Sequence, residues 1–301
     1  MNRIIPNFWF DGQAEEAAKF YTSIFTNSKL GHIARYTEAG KEIHGHNAGD
    51  VLTVEFELEN MRFIALNGGP QFQVNPSISF FVRCESEDEV NDLWQKLSEG
   101  ASVLMPLDLY TFSRRYGWLS DKFGISWHII VNEEPDAQKI TPSLLFTQEL
   151  TGRAEEAMNF YTSVFPDSSI GTITRYSAGQ EPDKEGTIAY GGFSILGDAF
   201  TAVDSAREHD FTFNEAISLM IECETQEEID TYWEKLSAIP EAEVCGWLKD
   251  KYGVSWQIVP TLMGTMMSEG TPEQLERVTA AYMKMKKFDI AELERVYNDT
   301  K

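Results

Sequence analysis

One histidine in the chain has a setting suited to proton transfer. His128 stands in the run Ser126-Trp127-His128-Ile129-Ile130. Alternation along a β-strand would place it on the same face as Ser126 and Ile130, with Trp127 on the opposite face. Because an imidazole with a pKa of about 6.5 exchanges protons at neutral pH, the pattern predicts a general base in a pocket. The alternative is a histidine that only hydrogen-bonds a ligand or a neighbouring side chain.

A pair of arginines forms a second candidate site. Arg114 and Arg115 lie in the segment Pro106 to Tyr116, which also carries several aromatic residues. In a strongly acidic chain, two adjacent guanidinium groups beside aromatic rings are suited to an anionic or flat ligand, through forked hydrogen bonds or stacking. The alternative is a hairpin that covers the other half of the molecule. Three further residues are predicted to point into the pocket: Asn67, Ser79 and Trp118.

The other histidine and thiol groups favour structural roles. His44 and His46 lie two positions apart, a spacing that would place both imidazoles on one face of an extended strand and allow them to bind a metal. Glycines flank them, and no carboxylate or cysteine at fixed spacing completes a ligand set, so a flexible loop is favoured. The cysteines show no CxxC pattern and are interpreted as small buried hydrophobic groups or inert thiols: Cys84, Cys223 and Cys245.

The chain repeats itself once, at a distance of about 130 to 140 residues, which indicates a duplicated domain. The run Ala14 to Ser23 recurs at Ala154 to Ser163, and Gly117 to Trp127 recurs at Gly246 to Trp256. In this correspondence Gln257 takes the place of His128. The predicted organisation is a first domain at 1–132, a linker at 133–139, a second domain at 140–265 and a helical extension at 266–301.

Within each copy the hydrophobic periodicity changes in a fixed order. In the first copy it predicts strand at 4–10, helix at 14–25, a hairpin of strands at 52–58 and 61–67, strand at 78–82, helix at 90–97, and strands at 103–109 and 125–131. This order is typical of β-α-β-β-β units. The predicted fold class is therefore α+β, with two domains, each a pair of such units forming a curved mixed sheet whose inner face can hold a ligand.

Two smaller features are also interpreted structurally. Asp121 and Asp250 each begin an Asp-Lys-aromatic-Gly run between the last two strands of a copy, where they are expected to stabilise turns. From Thr271 onward, apolar residues recur at helical spacing, and acidic residues offset the lysines. We expect these helices to pack on the two domains and not on a membrane.

Composition excludes several classes of function. The chain has 48 acidic and 25 basic residues, a net charge of -23, which repels phosphate backbones and anionic lipids and so excludes nucleic acid and membrane as partners. No apolar segment approaches the length of about 18 residues that a membrane span needs, and the first residues lack the apolar run of a signal peptide. Widely spaced cysteines fit a reducing compartment. We expect a cytoplasmic protein whose partner is a small molecule.

The paired units, the FYTSxF run of the first helix and the GWxxDKxGxSW run of the last hairpin resemble the PhnB-like branch of the vicinal oxygen chelate superfamily. That superfamily also contains glyoxalase I, extradiol dioxygenases and bleomycin-binding proteins. The resemblance covers nearly the whole chain. It implies the glyoxalase-like fold and, because single-domain members pair as dimers, an internal pseudo-dimer that leaves further oligomerisation possible. PhnB-like members are often catalogued under a demethylubiquinone methyltransferase name, yet the chain has no glycine-rich strand-turn-helix for a nucleotide-like cofactor.

The resemblance also implies four metal-ligand positions in each copy, one on each of four strands. In the first copy these positions fall on Pro6, Ala65, Ser77 and His128. In the second copy they fall on Pro142, Ala202, Ala216 and Gln257. Only His128 is a ligand that a catalytic divalent ion prefers. We therefore predict no metal site and no cofactor in either copy.

Three hypotheses of function follow. The first is metal-independent binding of a small anionic or aromatic molecule, by Asn67, Ser79, Arg114, Arg115, Trp118, His128 and Gln257. The second is a metal-dependent enzyme of the glyoxalase or dioxygenase type, with relocated ligands and His128 as its catalytic residue. The third is a scaffold whose pockets are filled by side chains of the protein itself.

Overall fold

The computed structural model describes residues 3–132 and 137–299, so 133–136 of the predicted linker lie outside the described residues. In the first half the elements are β1 Ile4–Phe10, α1 Ala14–Ile24, β2 Ser28–Arg35, α2 Lys41–His44, β3 Val51–Leu58, β4 Met61–Asn67, β5 Ile78–Cys84, α3 Glu87–Leu97, β6 Ser102–Tyr110, β7 Ser113–Ser120 and β8 Ser126–Val131. The predicted strands and helices are present. Three elements were not predicted: β2, α2 and β7. β2 is an exposed strand with no clear alternation.

The second half repeats this order with a shorter last unit. Its elements are β9 Ile140–Phe146, α4 Ala154–Val164, β10 Ser169–Arg175, β11 Ile188–Ile195, β12 Asp198–Asp204, β13 Ile217–Cys223, α5 Gln226–Leu236, β14 Trp247–Lys249 and β15 Ser255–Pro260. Three helices follow: α6 Thr261–Glu269, α7 Pro272–Tyr282 and α8 Ile290–Asn298. None of the helices in the described ranges has the length and apolar character required to cross a membrane.

The strands form two mixed sheets, and each sheet combines one unit from each half of the chain. The seven-stranded sheet has the order β14-β15-β13-β1-β4-β3-β2, and the eight-stranded sheet has the order β10-β11-β12-β9-β5-β8-β7-β6. The halves meet at two antiparallel pairs, where Ile4 lies opposite Ile221 and Ile78 lies opposite Leu144. The predicted α+β fold of paired units is confirmed, with the addition that the halves exchange units between sheets.

The two units of one half pack against each other through the faces that carry the helices. Phe8 of β1 contacts Phe80 of β5, with ring centroids 5.4 Å apart, and Tyr21 of α1 contacts Trp127 of β8 at 5.5 Å. In the second half Tyr161 of α4 contacts Trp256 of β15 at 5.6 Å. Burial of these large rings supplies much of the hydrophobic driving force for folding. The opposite faces of the two sheets are therefore left for other functions.

The C-terminal helices dock on the second half, as expected. The backbone nitrogens of Cys245 and Gly246 donate to the carbonyls of Met285 and Lys286, at 2.8 and 2.7 Å. The side chain of Gln226 on α5 binds the segment that follows: its Nε2 donates to the carbonyl of Phe288, and its Oε1 accepts from the nitrogen of Ile290. The extension is thus part of the folded structure.

Candidate functional site

The face of the eight-stranded sheet opposite α3 and α4 gathers the polar residues of most interest. We call it the inner face; it carries Ser79, Phe81 and Arg83 of β5 and His128 of β8. Strand alternation places these residues opposite Phe80 and the other side chains of the helix-bearing core.

His128 is enclosed on both faces and at both ring nitrogens. Its ring lies between Phe81, with centroids 4.2 Å apart and an interplanar angle of 11°, and Trp118, at 4.7 Å and 16°. Ser79 Oγ lies 2.9 Å from Nε2, and the Tyr116 hydroxyl lies 2.7 Å from Nδ1. A neutral imidazole has one donor and one acceptor nitrogen, so this environment satisfies the whole ring.

Burial lowers the pKa of His128 to about 3, because the charged form would lose its hydration. The imidazole is therefore neutral at pH 7, and a base this weak accepts protons poorly. Burial likewise raises the pKa of the Tyr116 hydroxyl, so neither member of the pair carries a charge at neutral pH. The geometry supports the hydrogen-bonding alternative for His128 and not the general base.

A row of buried hydroxyl groups extends from Ser79 across the junction between the halves. Ser143 of β9 lies opposite Ser79, and Thr201 of β12 lies opposite Ser143. All three residues are at most 2% exposed. Thr201 Oγ1 is buried and makes no hydrogen bond to any residue that the structure describes. A buried hydroxyl without a partner is unfavourable, so this group lowers the stability of the folded protein.

Replacing Thr201 with valine is expected to stabilise the ligand-free protein by about 1 kcal/mol, because the change removes a buried unpaired hydroxyl and keeps the shape of the side chain. Thr147 gives a matched control, since its buried Oγ1 donates to the carbonyl of Phe211 at 2.6 Å. Thr147→Val should destabilise by about 1 to 2 kcal/mol. Urea denaturation of both variants measures the changes in the free energy of unfolding, which should have opposite signs. Equal destabilisation would show that Thr201 has a partner after all.

Arg83 brings a positive charge to the inner face. Its Nη2 donates to the hydroxyl of Tyr190 on β11 at 3.2 Å, and Tyr190 also contacts the edge of Phe81 at 6.4 Å. Among residues 3–132 and 137–299, no carboxylate forms an ion pair with its guanidinium. Arg83, Phe81 and Tyr190 are all partly exposed, so solutes can reach them. A guanidinium that bonds only a neutral phenol can still accept an anion.

The arginine on the equivalent face of the seven-stranded sheet has an acidic partner. Glu222 stands where the first half has Arg83, and it forms a bidentate ion pair with Arg62 at 2.7 and 3.1 Å. Gln257, the counterpart of His128, donates to Ser218 at 2.8 Å. The two faces share a serine that hydrogen-bonds the residue at the His128 or Gln257 position. They differ in charge, because only the inner face of the eight-stranded sheet has an arginine with no acidic partner among the described residues.

The structure brings together three of the predicted site residues and separates the others. Ser79, Trp118 and His128 are in direct contact. Asn67 caps α1 instead, because its Oδ1 accepts from the nitrogen of Ala14 at 2.9 Å and its Nδ2 donates to the carbonyl of Val51 at 3.0 Å. It therefore faces away from the pocket that was predicted for it.

The structure places the two hairpin arginines beside α3. Arg115 Nε donates to Asn91 of α3 at 2.9 Å, and Arg114 Nε lies 3.5 Å from a carboxylate oxygen of Glu87 on the same helix. Irregular pairing between β6 and β7 shifts the register several times before this point. Simple alternation consequently could not place these side chains, which lie beside α3.

Sequence reasoning missed Arg83, Tyr116, Ser143, Tyr190 and Thr201. One signal was available, since alternation in Ile78-Ser79-Phe80-Phe81-Val82-Arg83 places Arg83 on the face of Ser79. Tyr116 comes from β7, where irregular pairing with β6 hides the alternation. Ser143, Tyr190 and Thr201 come from strands whose relation to β5 depends on pairing between the halves.

The residues present do not fit a divalent metal. Pro6 and Ala65 share the helix-bearing face with Phe8 and Phe63, and their counterparts in the second half do the same. The inner face offers one imidazole, already bonded at both nitrogens, and hydroxyl groups that are weak ligands when protonated. No cluster of three histidine, cysteine or acidic side chains suited to a metal occurs in the described part of the chain.

The two neighbouring histidines likewise show no free ligand pair. His44 Nε2 lies 3.1 Å from the carbonyl of Ala39, and its Nδ1 accepts from the nitrogen of His46 at 3.1 Å. His44 ends the short helix α2, so the extended strand that would align both imidazoles is not formed. Both rings instead pack on Tyr36, with centroids 4.4 Å away.

Comparisons with known proteins agree with the fold. A family model described as 3-demethylubiquinone-9 3-methyltransferase matches residues 2–130 and again 138–259. A structure from Bacillus cereus described as PhnB protein is 36% identical over 44% of this chain and 100% of its own, with a TM-score of 0.40. Glyoxalase I from Zea mays is 12% identical, covering 88% of this chain and 95% of its own, with a TM-score of 0.52.

A comparison with curated proteins gives no match. The family model covers most of the chain, and the likeness to glyoxalase I extends to both halves at the level of fold. The chain therefore belongs to the family described as 3-demethylubiquinone-9 3-methyltransferase, and it shares the fold of glyoxalase I.

Proposed function

We propose that the protein binds a small planar anion on the inner face of the eight-stranded sheet without a metal. The observation that carries this proposal is Arg83, a partly exposed guanidinium whose hydrogen-bond partner there is the neutral hydroxyl of Tyr190. In a chain with a net charge of -23, an arginine without a described acidic partner is a local exception. Charge-assisted hydrogen bonds to a carboxylate are the strong interactions such a group makes.

The neighbouring residues suit the rest of such a ligand. The rings of Phe81 and Tyr190 offer flat apolar contacts beside the guanidinium. In this proposal His128 is a neutral positioning residue, which holds Ser79, Phe81 and Trp118 in place and takes no part in proton transfer.

The proposed site needs both halves of one chain, because Arg83 on β5 comes from the first half and Tyr190 on β11 comes from the second. The halves thus act as an internal pseudo-dimer in this proposal. Three free cysteines and the acidic charge support a cytoplasmic location.

The test compares benzoate with benzamide, its neutral analogue, and with acetate, which lacks the ring, by isothermal titration calorimetry. We expect benzoate to bind best. Arg83→Ala should weaken benzoate binding about tenfold or more, because it removes a charge-assisted hydrogen bond. Thr201→Val should leave benzoate affinity unchanged while stabilising the free protein, because its hydroxyl is buried beneath the site.

Arg115→Ala provides the control, since it removes an arginine of β7 that donates to Asn91 of α3. Its benzoate affinity should equal that of the wild type. Equal affinity for benzoate and benzamide, or loss of binding in Arg115→Ala instead of Arg83→Ala, would refute the proposed site. Elemental analysis of protein purified without chelator completes the test, because stoichiometric metal would overturn the metal-free part of the proposal.

A further inference from the structure

The seven-stranded sheet carries two nearly buried side-chain amides on the face that points away from its helices. Asn7 of β1 lies directly opposite Ser218 of β13, so both side chains point to one face. Gln257 of β15 belongs to the same face, because its Nε2 donates to Ser218 Oγ at 2.8 Å. The neighbouring residues Phe8 and Trp256 point into the helix-bearing core. We call the face of Asn7, Ser218 and Gln257 the amide face.

Each of the two amides has an oxygen without a partner. Asn7 is 4% exposed and Gln257 is 9% exposed. Asn7 Oδ1 and Gln257 Oε1 accept no hydrogen bond from any residue that the structure describes. In the described ranges, the unpartnered side-chain atoms that are sealed from solvent are three threonine hydroxyls, so the two amide oxygens remain accessible from the open side of the face. A nearly buried acceptor without a donor favours a ligand that supplies one.

The amide of Asn7 also has a donor without a strong acceptor. Its Nδ2 lies 3.9 Å from the sulfur of Met220, and a thioether is a weak acceptor. The amide is therefore able to make two parallel hydrogen bonds, accepting at Oδ1 and donating at Nδ2. The complementary group has an N–H and a C=O side by side, as in a lactam or a cyclic imide. Gln257, on the other side of β13, offers its oxygen to a second N–H.

Two indole rings border the amides. Trp9 follows Asn7 by two residues on β1, and Trp247 lies opposite Gln257, so both share the amide face. Their ring centroids are 6.0 Å apart, with an interplanar angle of 82°, and both side chains are partly exposed. Trp9 Nε1 donates to the carbonyl of Gly69 at 2.7 Å, which fixes the orientation of that indole. The rings offer apolar contact to a flat ligand held by the amides.

The charges of the amide face disfavour an anion. Arg62 pairs with Glu222 at 2.7 Å, and Lys249 pairs with Glu215 at 2.7 Å. Strand pairing places Glu55 of β3 on the same face, where it is partly exposed. A carboxylate ligand would meet this charge and the two amide oxygens, all of which are acceptors. An uncharged ligand with N–H donors avoids both repulsions.

We propose that the amide face is a second binding site, for an uncharged planar ring that carries N–H and C=O groups side by side, as in a cyclic ureide. Asn7 binds one adjacent N–H and C=O of the ring, and Gln257 accepts from a second N–H. Trp9 and Trp247 contact the apolar surface of the ring. This site lies on a different sheet from Arg83 and shares no residue with the anion site, so either proposal can fail without the other.

Uracil is a suitable probe, because its ring is neutral and carries two N–H groups, each next to a carbonyl. Its derivative 1,3-dimethyluracil keeps the ring and has no N–H donor. In isothermal titration calorimetry, uracil should bind at least about tenfold more tightly than 1,3-dimethyluracil, because the methylated ring leaves both amide oxygens unpaired. Benzoate should not displace uracil. No binding of uracil at millimolar concentration, equal affinity for the two rings, or displacement of uracil by benzoate would overturn the proposal.

Asn7→Leu removes the amide and keeps the approximate shape of the side chain. The variant should fold, because the amide loses only a weak contact with Met220, and its melting temperature verifies this. It should weaken uracil binding about tenfold and leave the affinity for 1,3-dimethyluracil unchanged. Asn91→Leu, at an exposed amide of α3, is the matched control and should bind uracil as the wild type does. Arg83→Ala should also keep wild-type uracil binding. Unchanged uracil affinity in Asn7→Leu, or its loss in Arg83→Ala, would refute the site.

Discussion

With His128 replaced by glutamine, the protein should lose about 3 kcal/mol less stability between pH 7 and pH 4 than the wild type loses. The pKa of His128 is about 3 in the folded protein and about 6.5 in an unfolded chain. Between these values the unfolded chain binds one more proton than the folded protein, so stability falls as the pH falls from 6.5 towards 3. The full effect, about 5 kcal/mol, is reached only below pH 3, where the folded imidazole is protonated as well.

Glutamine is a suitable replacement, because Gln257 occupies the equivalent position and donates to Ser218 in the way that His128 contacts Ser79. The measurement is the free energy of unfolding from urea denaturation at pH 7, 5 and 4, for wild type and variant. In His128→Gln the Tyr116 hydroxyl loses its partner, the Nδ1 atom of His128. The double variant His128→Gln/Tyr116→Phe removes that hydroxyl and controls for its loss. Parallel pH curves for wild type and His128→Gln would contradict the low pKa of the buried imidazole.

The largest loss of stability is expected from replacing the buried aspartate of either last hairpin. Asp250 Oδ2 accepts from the Tyr161 hydroxyl at 2.8 Å and from Trp256 Nε1 at 2.9 Å. Its Oδ1 accepts from the backbone nitrogens of Tyr252 and Val254. Asp250→Ala leaves four buried donors without an acceptor, and should destabilise the protein by at least about 4 kcal/mol.

Asp121 binds the matching four donors in the first half, including Tyr21 and Trp127. Asp121→Ala should therefore cost a similar amount. Asp108, exposed on β6, is the control, and Asp108→Ala should change the free energy of unfolding by less than about 0.5 kcal/mol. Urea denaturation at pH 7 measures all three variants. A loss below about 2 kcal/mol in Asp250→Ala would show that water replaces the missing acceptor.

These two aspartates also show how far the sequence could predict the structure. Their interpretation as turn-stabilising residues is correct, because both accept backbone hydrogen bonds within the turn. Their links to Tyr21 and Tyr161 connect the last hairpin to the first helix of the same half, about 90 to 100 residues away. Nothing in the local pattern identifies such a contact. The repetition of tyrosine, aspartate and tryptophan in both copies is the trace it leaves in the sequence.

The candidate site was less predictable than the fold, and the reason is strand pairing. Alternation within one strand correctly placed Ser79 and His128 on one face. Thr201 joins them only through Ser143, across two further strand pairs that bring the halves together. The spacing of residues along the chain carries no information on which half supplies the neighbouring strand. Irregular register in β6 and β7 displaced Arg114 and Arg115 for a related reason.

The exchange of units between the halves also sets the order in which the molecule can assemble during synthesis. When the first half has left the ribosome, β1 and β5 each lack one neighbour, because β13 and β9 are still to be made. The pair of Ile4 with Ile221 closes a loop that includes most of the chain. Contacts so distant in sequence form slowly, and open strand edges attract other chains in the meantime. The nascent protein thus carries two unfinished sheet edges until its second half emerges.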